Sequence, residues 1–298
     1  MNALARQGEA RSESFFLGFA GSPDFPRLAS GPISLGDCIL PSKPLKCLRA
    51  FISGEERISF VKIISPSFQI LSCPDGDSIL RMIEKIGRTC YKSEDRITSH
   101  SAPEFVRRLV RSGHHSVLEH ISISVLFVCD RGVSHELVRH RIAAYSQEST
   151  RYVNYSKEKY GQGLTVIRPF FWPEGSKAFE TWRMAMEEAE RRYLELIRLG
   201  ARPEEARSVL PSSVKTEIVM SCNLREWRHV LGLRCSKASH PQMREIMLPL
   251  LGEFHRTVPV VFDDLYAAYQ EEIRAGKSME GEAEGFLGAA PPKTTDSP

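Results

Sequence analysis

The chain predicts an α+β fold: a single domain with a central sheet flanked by helices. Three observations carry this. Apolar residues recur with a period near two in short runs and near 3.6 in longer ones. Strand and helix signals follow one another without the regular spacing of βαβ units. Composition changes character only toward the two ends, which places a folded domain over residues 59–275, between an extension (1–58) and a flexible tail (276–298).

Gly21-Ser22-Pro23, Gly31-Pro32 and Pro41-Ser42-Lys43-Pro44 interrupt the first 58 residues, which show no sustained period and read as a poorly ordered extension. The apolar stretch from Phe15 to Ala20 follows Glu9 and Glu13 rather than a basic segment, so no secretion signal is expected. Val61-Lys62-Ile63-Ile64 opens the first strand, and Asp77 is the expected cap of a helix carrying Ile79, Met82, Ile83 and Ile86. A second helix is expected from Pro103 to Arg111, then a half-buried strand from Ile121 to Cys129, where apolar residues alternate with serine. Gly132 to Val138 reads as helix and Leu164 to Arg168 as strand. Ala178 to Leu199 is a long amphipathic helix stopped by Gly200 and Pro203. Val214 to Met220 suits a strand and Leu224 to Leu233 a helix. His240 to Tyr269 gives one or two more helices with a break near Pro259, because proline cannot donate to the helical ladder.

The 298 residues are 42% hydrophobic and 26% charged with a net charge of +3, which excludes collagen-like, coiled-coil and wholly disordered classes. No apolar run approaches the roughly 18 residues of a membrane helix, so no membrane partner is expected. The 7 cysteines include no C-x-x-C pair, which argues against a disulfide framework and a structural zinc site and fits a reducing cytoplasm. With so small a net charge, affinity for anions has to come from local arginine clusters.

Several tempting motifs fail on spacing. His135 and His140 are five apart, which on a helix turns their imidazoles roughly 140° from one another, whereas a zinc-binding pair needs a four-residue step. No metal is expected. Gly276-Lys277-Ser278 ends like a phosphate loop, but Glu271 stands where its first glycine belongs. Neither G-x-G-x-x-G nor G-x-S-x-G occurs. Cys235 follows Arg234, yet its ordinary reading is a small buried hydrophobe.

One segment is unusually dense in chemistry: from Arg139-His140-Arg141 to Tyr145-Ser146-Gln147-Glu148-Ser149-Thr150-Arg151-Tyr152 it holds three arginines, a histidine and several hydroxyls. If Arg139 to Arg141 is extended, both guanidiniums point one way and His140 the other, a fork suited to phosphate or a planar anionic ring. Ser149, Thr150 and Arg151 offer donors to a second phosphate. The bland alternative is an arginine-rich helix end paired with Glu136 and Glu148.

Arg-His-Arg, seven residues, then Ser149 resembles the signature of the flavin-dependent thymidylate synthases; a chance match in a chain this long is on the order of one in a thousand. The resemblance runs from about Val61 to Tyr269. It includes Gly113-His114-His115-Ser116-Val117-Leu118-Glu119-His120, Leu210-Pro211, Asn223-Leu-Arg-Glu-Trp227-Arg228-His229, Leu233-Arg234 and His240-Pro-Gln-Met-Arg244-Glu245. It implies that Ser116, Arg139, His140, Arg141, Gln147, Arg234 and His240 bind FAD. Glu136, Arg139, Gln147, Ser149, Thr150, Arg151 and Arg244 would contact dUMP, with Arg244 ionising the uracil ring at N3. The implied reaction is reductive methylation of dUMP to dTMP, with 5,10-methylenetetrahydrofolate as carbon donor and NADPH as reductant of FAD. The implied assembly is a homotetramer with active sites shared between subunits.

The chain departs from the family pattern at three places. Glu217 stands where several relatives carry an arginine near the dUMP phosphate, which leaves that contact to Arg151 or Lys215. Ser146-Gln147 replaces a common Asn-Glu, and Ser239 competes with His240 for one FAD contact. Two readings of other classes remain open on sequence. One is a nucleic-acid-binding module using these arginines, with Trp227 and Tyr152 stacking on bases. The other is a flavin carrier without dUMP activity, against which Arg151 and Arg244 both speak.

Overall fold

The computed structural model describes residues 61–157 and 163–287, with side chains described as far as residue 275. The expected extension over 1–58 therefore lies outside the described residues. Six strands and eight α-helices occur among those described: β1 (Lys62–Ile64), β2 (Ser67–Ser72), α1 (Gly76–Thr89), α2 (Ala102–Arg111), β3 (Ser122–Asp130), α3 (Arg131–Leu137), β4 (Ala144–Gln147), β5 (Thr165–Ile167), α4 (Lys177–Arg198), α5 (Pro203–Ala206), β6 (Lys215–Asn223), α6 (Leu224–Arg234), α7 (Pro241–Thr257) and α8 (Pro259–Leu287).

Four strands form an antiparallel sheet in the order β2-β3-β6-β4, while β1 and β5 pair in parallel as a separate small sheet. The alternation of Ile121 to Cys129 is the reason β3 has two faces. Ile123, Val125, Phe127 and Cys129 point inward, and on the paired β6 so do Thr216, Ile218, Met220 and Cys222. Register places Phe127 opposite Ile218 and Val125 opposite Met220, so the inward residues of both strands meet on one face. Helices α6, α7 and α8 cover that face with Trp227, Leu231, Met243, Leu250, Phe254 and Phe262, all essentially inaccessible.

Trp227 is 0% exposed and its indole N–H donates to the Ile123 carbonyl at 3.1 Å, which removes it as a base-stacking residue. Cys235 is equally buried, and desolvation pushes its thiol up to about 12, the behaviour of a packing residue.

Around α4 lie two smaller clusters. Tyr155, Leu164, Tyr193 and Val214 make one; Val166, Phe179, Trp182 and Met186 make the other, against β1 and β5. The Ser176 side chain caps α4 by accepting from Phe179 N, and Gly200 at φ +95° ends the chain's helical run in a left-handed turn.

Three local readings change. The cap of α1 is Asp75, which accepts from Ser78 N at 2.9 Å; Asp77 lies inside the first turn. Met82 on that helix faces outward at 49% exposure. Strands β2 and β4 were not expected, being short and carrying polar residues at alternate positions. Helix α7 ends at Thr257 and α8 starts at Pro259, the break that the proline predicts, and α8 continues past Gly276.

Candidate active site

Asp130, the last residue of β3, turns the chain into α3 by accepting from Val133 N at 2.7 Å. Helix α3 is only seven residues long, and it delivers Arg139-His140-Arg141 as the turn that leads into β4. From β4 the Tyr145 hydroxyl reaches back to the carbonyl oxygens of Leu137 and His140, at 2.7 and 2.8 Å. That brace fixes the backbone of the turn from both sides.

The segment is a turn and not the extended run considered above, since the N–H groups of Arg139 and His140 donate back to the carbonyls of Glu136 and Leu137; Arg139 and Arg141 are nonetheless exposed while His140 is 5% exposed. Neither arginine forms an ion pair among the described residues. Glu136 pairs instead with Arg234 at 2.7 Å, and Glu148 with Lys215 at 3.0 Å, so the bland helix-end pairing does not occur. His135, the other half of the rejected zinc pair, is exposed.

Arg234, at the end of α6, gathers the cluster. Its Nε donates to His140 Nε2 at 2.9 Å, its Nη1 to the Glu136 carboxylate and its Nη2 to the Glu136 carbonyl at 3.0 Å. Burial, then the charge of Arg234, then His229 lower the His140 pKa to about 4, so the ring is neutral at pH 7. Facing the other ring nitrogen, Nδ1, is the buried carboxylate of Glu226 at 3.7 Å, and His229 packs edge-on at 5.9 Å. His140, Glu226 and His229 thus bring potential ligand atoms within 4.8 Å of one another. Beside them opens a cavity of about 430 Å³ lined by Glu119, Ile142, Asn223, Arg225, Glu226 and His229.

A second group of donors lies on the segment after β4. The Gln147 amide donates to Ser134 Oγ at 2.9 Å and Thr216 Oγ1 at 3.2 Å. Ser149 Oγ accepts from Arg151 N at 3.3 Å, and no base is bonded to it among the described residues. Thr150 is buried and its Oγ1 accepts from Arg207 Nη1 at 3.3 Å. Arg151 sits 3.6 Å from Glu204 and above the Tyr152 ring. Lys215, expected as a phosphate ligand, is held between Glu148 and Glu217.

Three residues of the expected set stand apart from the cluster. Ser116 is exposed on a 3₁₀ turn, His115–His120, whose Glu119 lines the cavity and pairs with Arg225. His240 caps α7, its Nδ1 accepting from Gln242 N, and lies 6.3 Å from the Phe171 ring. Arg244 reaches the Cys235 carbonyl at 3.0 Å and pairs with Glu272 of α8; no contact joins it to the turn at His140.

Sequence reading missed Tyr145, Arg207 and Glu226. Asn223-x-x-Glu226 has the spacing of a helix capping box, a pattern that hides any other use of the glutamate. Arg207 belongs to no motif and is identified only by its contact with Thr150.

The residues present suit a flavin nucleotide. Two exposed guanidiniums match a pyrophosphate, and the adjoining cavity presents the Asn223 amide and Arg225 beside the apolar Ile142 to a planar ring.

The chain is similar to several known proteins. A flavin-dependent thymidylate synthase of Pyrococcus furiosus is 34% identical over 173 residues, covering 58% of this chain and 70% of that protein. One from Geobacter sulfurreducens is 33% identical over 198 residues, covering 64% and 82%. Among solved structures, the UMP/dUMP methylase PolB from Streptomyces cacaoi, bound with 5-Br dUMP, has the same fold: TM-score 0.57 at 24% identity, covering 70% of this chain and 97% of that one. The family model described as thymidylate synthase complementing protein matches residues 76–260, well over half of the sequence, and the chain belongs to that family.

Proposed function

We propose that the protein is a flavin-dependent thymidylate synthase, converting dUMP to dTMP with 5,10-methylenetetrahydrofolate as carbon donor and NADPH-reduced FAD as hydride source. The observation that carries this reading is the fork of Arg234, which joins Glu136 to His140 and so assembles the Arg-His-Arg turn against the cavity on α6. Family membership and the names of the relatives support the same activity.

FAD, when bound, supplies the hydride; the chain's own residues bind and polarise. Arg139, His140, Arg141 and Arg234 are assigned to the cofactor, with Ser116, Gln147 and His240 completing the set. Ser149, Thr150 and Arg151 are assigned to dUMP, together with Glu136, Gln147 and Arg139. Arg207 joins them because it already bonds Thr150, and it takes the phosphate contact that Lys215, neutralised by two carboxylates, is poorly placed to make. Ser149 is assigned to binding rather than attack, since no base among the described residues is bonded to its hydroxyl to take the proton.

An arginine beside uracil N3 stabilises the ring anion and enriches C5, where the carbon attaches. The geometry favours Arg234 over Arg244 for this work: Arg234 stands in the cluster, whereas Arg244 is engaged by Glu272 and the Cys235 carbonyl. The proposed working form is a cytoplasmic homotetramer, with Ser116 acting on the site of a neighbouring subunit; its exposure and separation from the His140 turn favour that arrangement. No helix among the described residues is long and apolar enough to cross a membrane.

The test is a visible spectrum of the protein reconstituted with FAD, followed by titration with dUMP. Flavin bands that shift saturably with dUMP support one shared site. A colourless protein after reconstitution overturns the assignment, and flavin bands indifferent to dUMP leave only a flavin carrier.

A further inference from the structure

Glu226 is a buried carboxylate that the assigned chemistry does not use. It is 7% exposed, and no hydrogen bond ends on its side-chain oxygens among the described residues; only its backbone N–H is bonded, to Asn223 Oδ1. Burying a charge in this way is costly unless a partner faces it. The group that faces it is His140, with Nδ1 3.7 Å from Oε1.

His140 Nε2 accepts the Arg234 Nε–H, so in the neutral ring the single proton must sit on Nδ1. That proton lies on the side of the ring that faces Glu226, and at 3.7 Å the attraction between them is electrostatic rather than a hydrogen bond. The alternative tautomer would set an N–H of His140 against the N–H of Arg234 and leave Glu226 facing a lone pair, two repulsive contacts at once.

We propose that Glu226 is a positioning residue that holds His140 in its Nδ1–H tautomer, and that Arg234 is thereby kept in register with Glu136 to receive the flavin and uracil rings. This rests on the functional reading above for its consequence, though not for its geometry. A carboxylate fixing the tautomer of a histidine whose other nitrogen works elsewhere is a general device for orienting an imidazole.

Metal binding is the rival use of His140, Glu226 and His229. It demands a lone pair on His140 Nδ1 and therefore a proton on Nε2, where the Arg234 N–H already donates. The hydrogen bond and the metal exclude one another.

The experiment uses the full chain as wild type, Glu226→Gln and Glu226→Leu. Ring-nitrogen NMR on 15N-histidine-labelled protein, with His140 assigned by comparison with His140→Asn, reads the tautomer without any ligand; FAD titration reads the consequence. Wild type should show Nδ1–H at pH 7. Glu226→Gln, whose amide can still turn its negative oxygen toward Nδ1, should keep that tautomer and bind FAD within about threefold of wild type. Glu226→Leu should shift the ring toward Nε2–H and weaken FAD by about tenfold, or about 1.4 kcal/mol.

Wild-type His140 found as Nε2–H overturns the inference whatever the variants do, as does wild-type FAD affinity in a folded Glu226→Leu. A stoichiometric divalent metal retained by wild type and lost in Glu226→Leu also overturns it. If wild type shows Nδ1–H but binds no FAD, the tautomer assignment stands and the functional reading fails.

Discussion

Arg234 and His140 are 94 residues apart in sequence, yet the Nε of one donates to the Nε2 of the other at 2.9 Å. The contact makes the end of α6 part of the Arg-His-Arg turn. Arg234 also neutralises Glu136 and lowers the basicity of His140, so removing it disturbs both of those residues.

Arg234→Ala is accordingly expected to reduce dTMP formation about 100-fold, the scale of removing one preorganised donor at a developing charge. Arg234→Lys should recover little, since an ammonium cannot span Glu136 and His140 as a planar fork does. Arg244→Ala should leave FAD bound and cost less activity than Arg234→Ala, acting mainly through the lost tie to Glu272. Steady-state rates of the three variants, measured at saturating FAD, decide between the arginines. A larger loss in Arg244→Ala would return the ring-polarising role to that residue.

Arg207→Ala should raise KM for dUMP about tenfold with little change in kcat, because a phosphate contact is made equally in the ground and transition states. FAD affinity should stay at the wild-type value, Arg207 being bonded to Thr150 and not to the His140 turn. An unchanged KM would remove Arg207 from the site.

Two desolvated groups, the partly buried Glu245 and the buried His140, give opposite pH dependences of stability. Desolvation, reinforced by Asp130 and partly offset by Arg168, raises Glu245 to about 7 from its ordinary 4.5. The native state then binds more protons than the unfolded chain between about 4.5 and 7, and this group's contribution to stability is lost as pH rises through that window. His140, lowered to about 4 from 6.5, has the opposite sign: the unfolded chain takes up its proton first, so stability falls as pH drops from 6.5 toward 4. The two slopes oppose each other over much of the same range. Glu245→Gln should therefore stabilise the protein at pH 8 relative to pH 5, by at most about 3 kcal/mol. Thermal unfolding at the two pH values checks this, and an equal change at both would contradict the assigned burial effect.

Gly76 begins α1 against the end of α7, where an added Cβ would lie 2.0 Å from the Thr257 carbonyl oxygen. That atom is backbone and cannot swing aside. Gly76→Ala should lower stability by about 1–3 kcal/mol, the range for overpacking, without altering FAD affinity; denaturant midpoints and a flavin titration on the same sample separate the two effects.

Much of the fold was legible because its signals are local. The serine alternation in β3, the caps and stops of α4 and the proline between α7 and α8 act within a few residues of themselves. Asp75 was passed over for Asp77 because both acids precede the same apolar stripe and only backbone geometry tells a cap from a first-turn residue. Strands β2 and β4 escaped because Ser67–Ser72 and Ala144–Gln147 gain their stability from pairing with β3 and β6, partners distant in sequence.

The α+β class, the helices, most strands and an arginine-rich turn whose spacing marks the family are all written in the order of the residues. Side-chain identity and short-range periodicity suffice for these. Which charges are used up and which remain available depends on how the chain packs. Glu148 and Glu217 silence Lys215, Glu272 holds Arg244, and Arg139 and Arg141 stay exposed without ion pairs among the described residues, while Arg207 and Glu226 reach the site from segments far from the motif. Electrostatic pairing depends on distance in space, and no spacing along the chain encodes it.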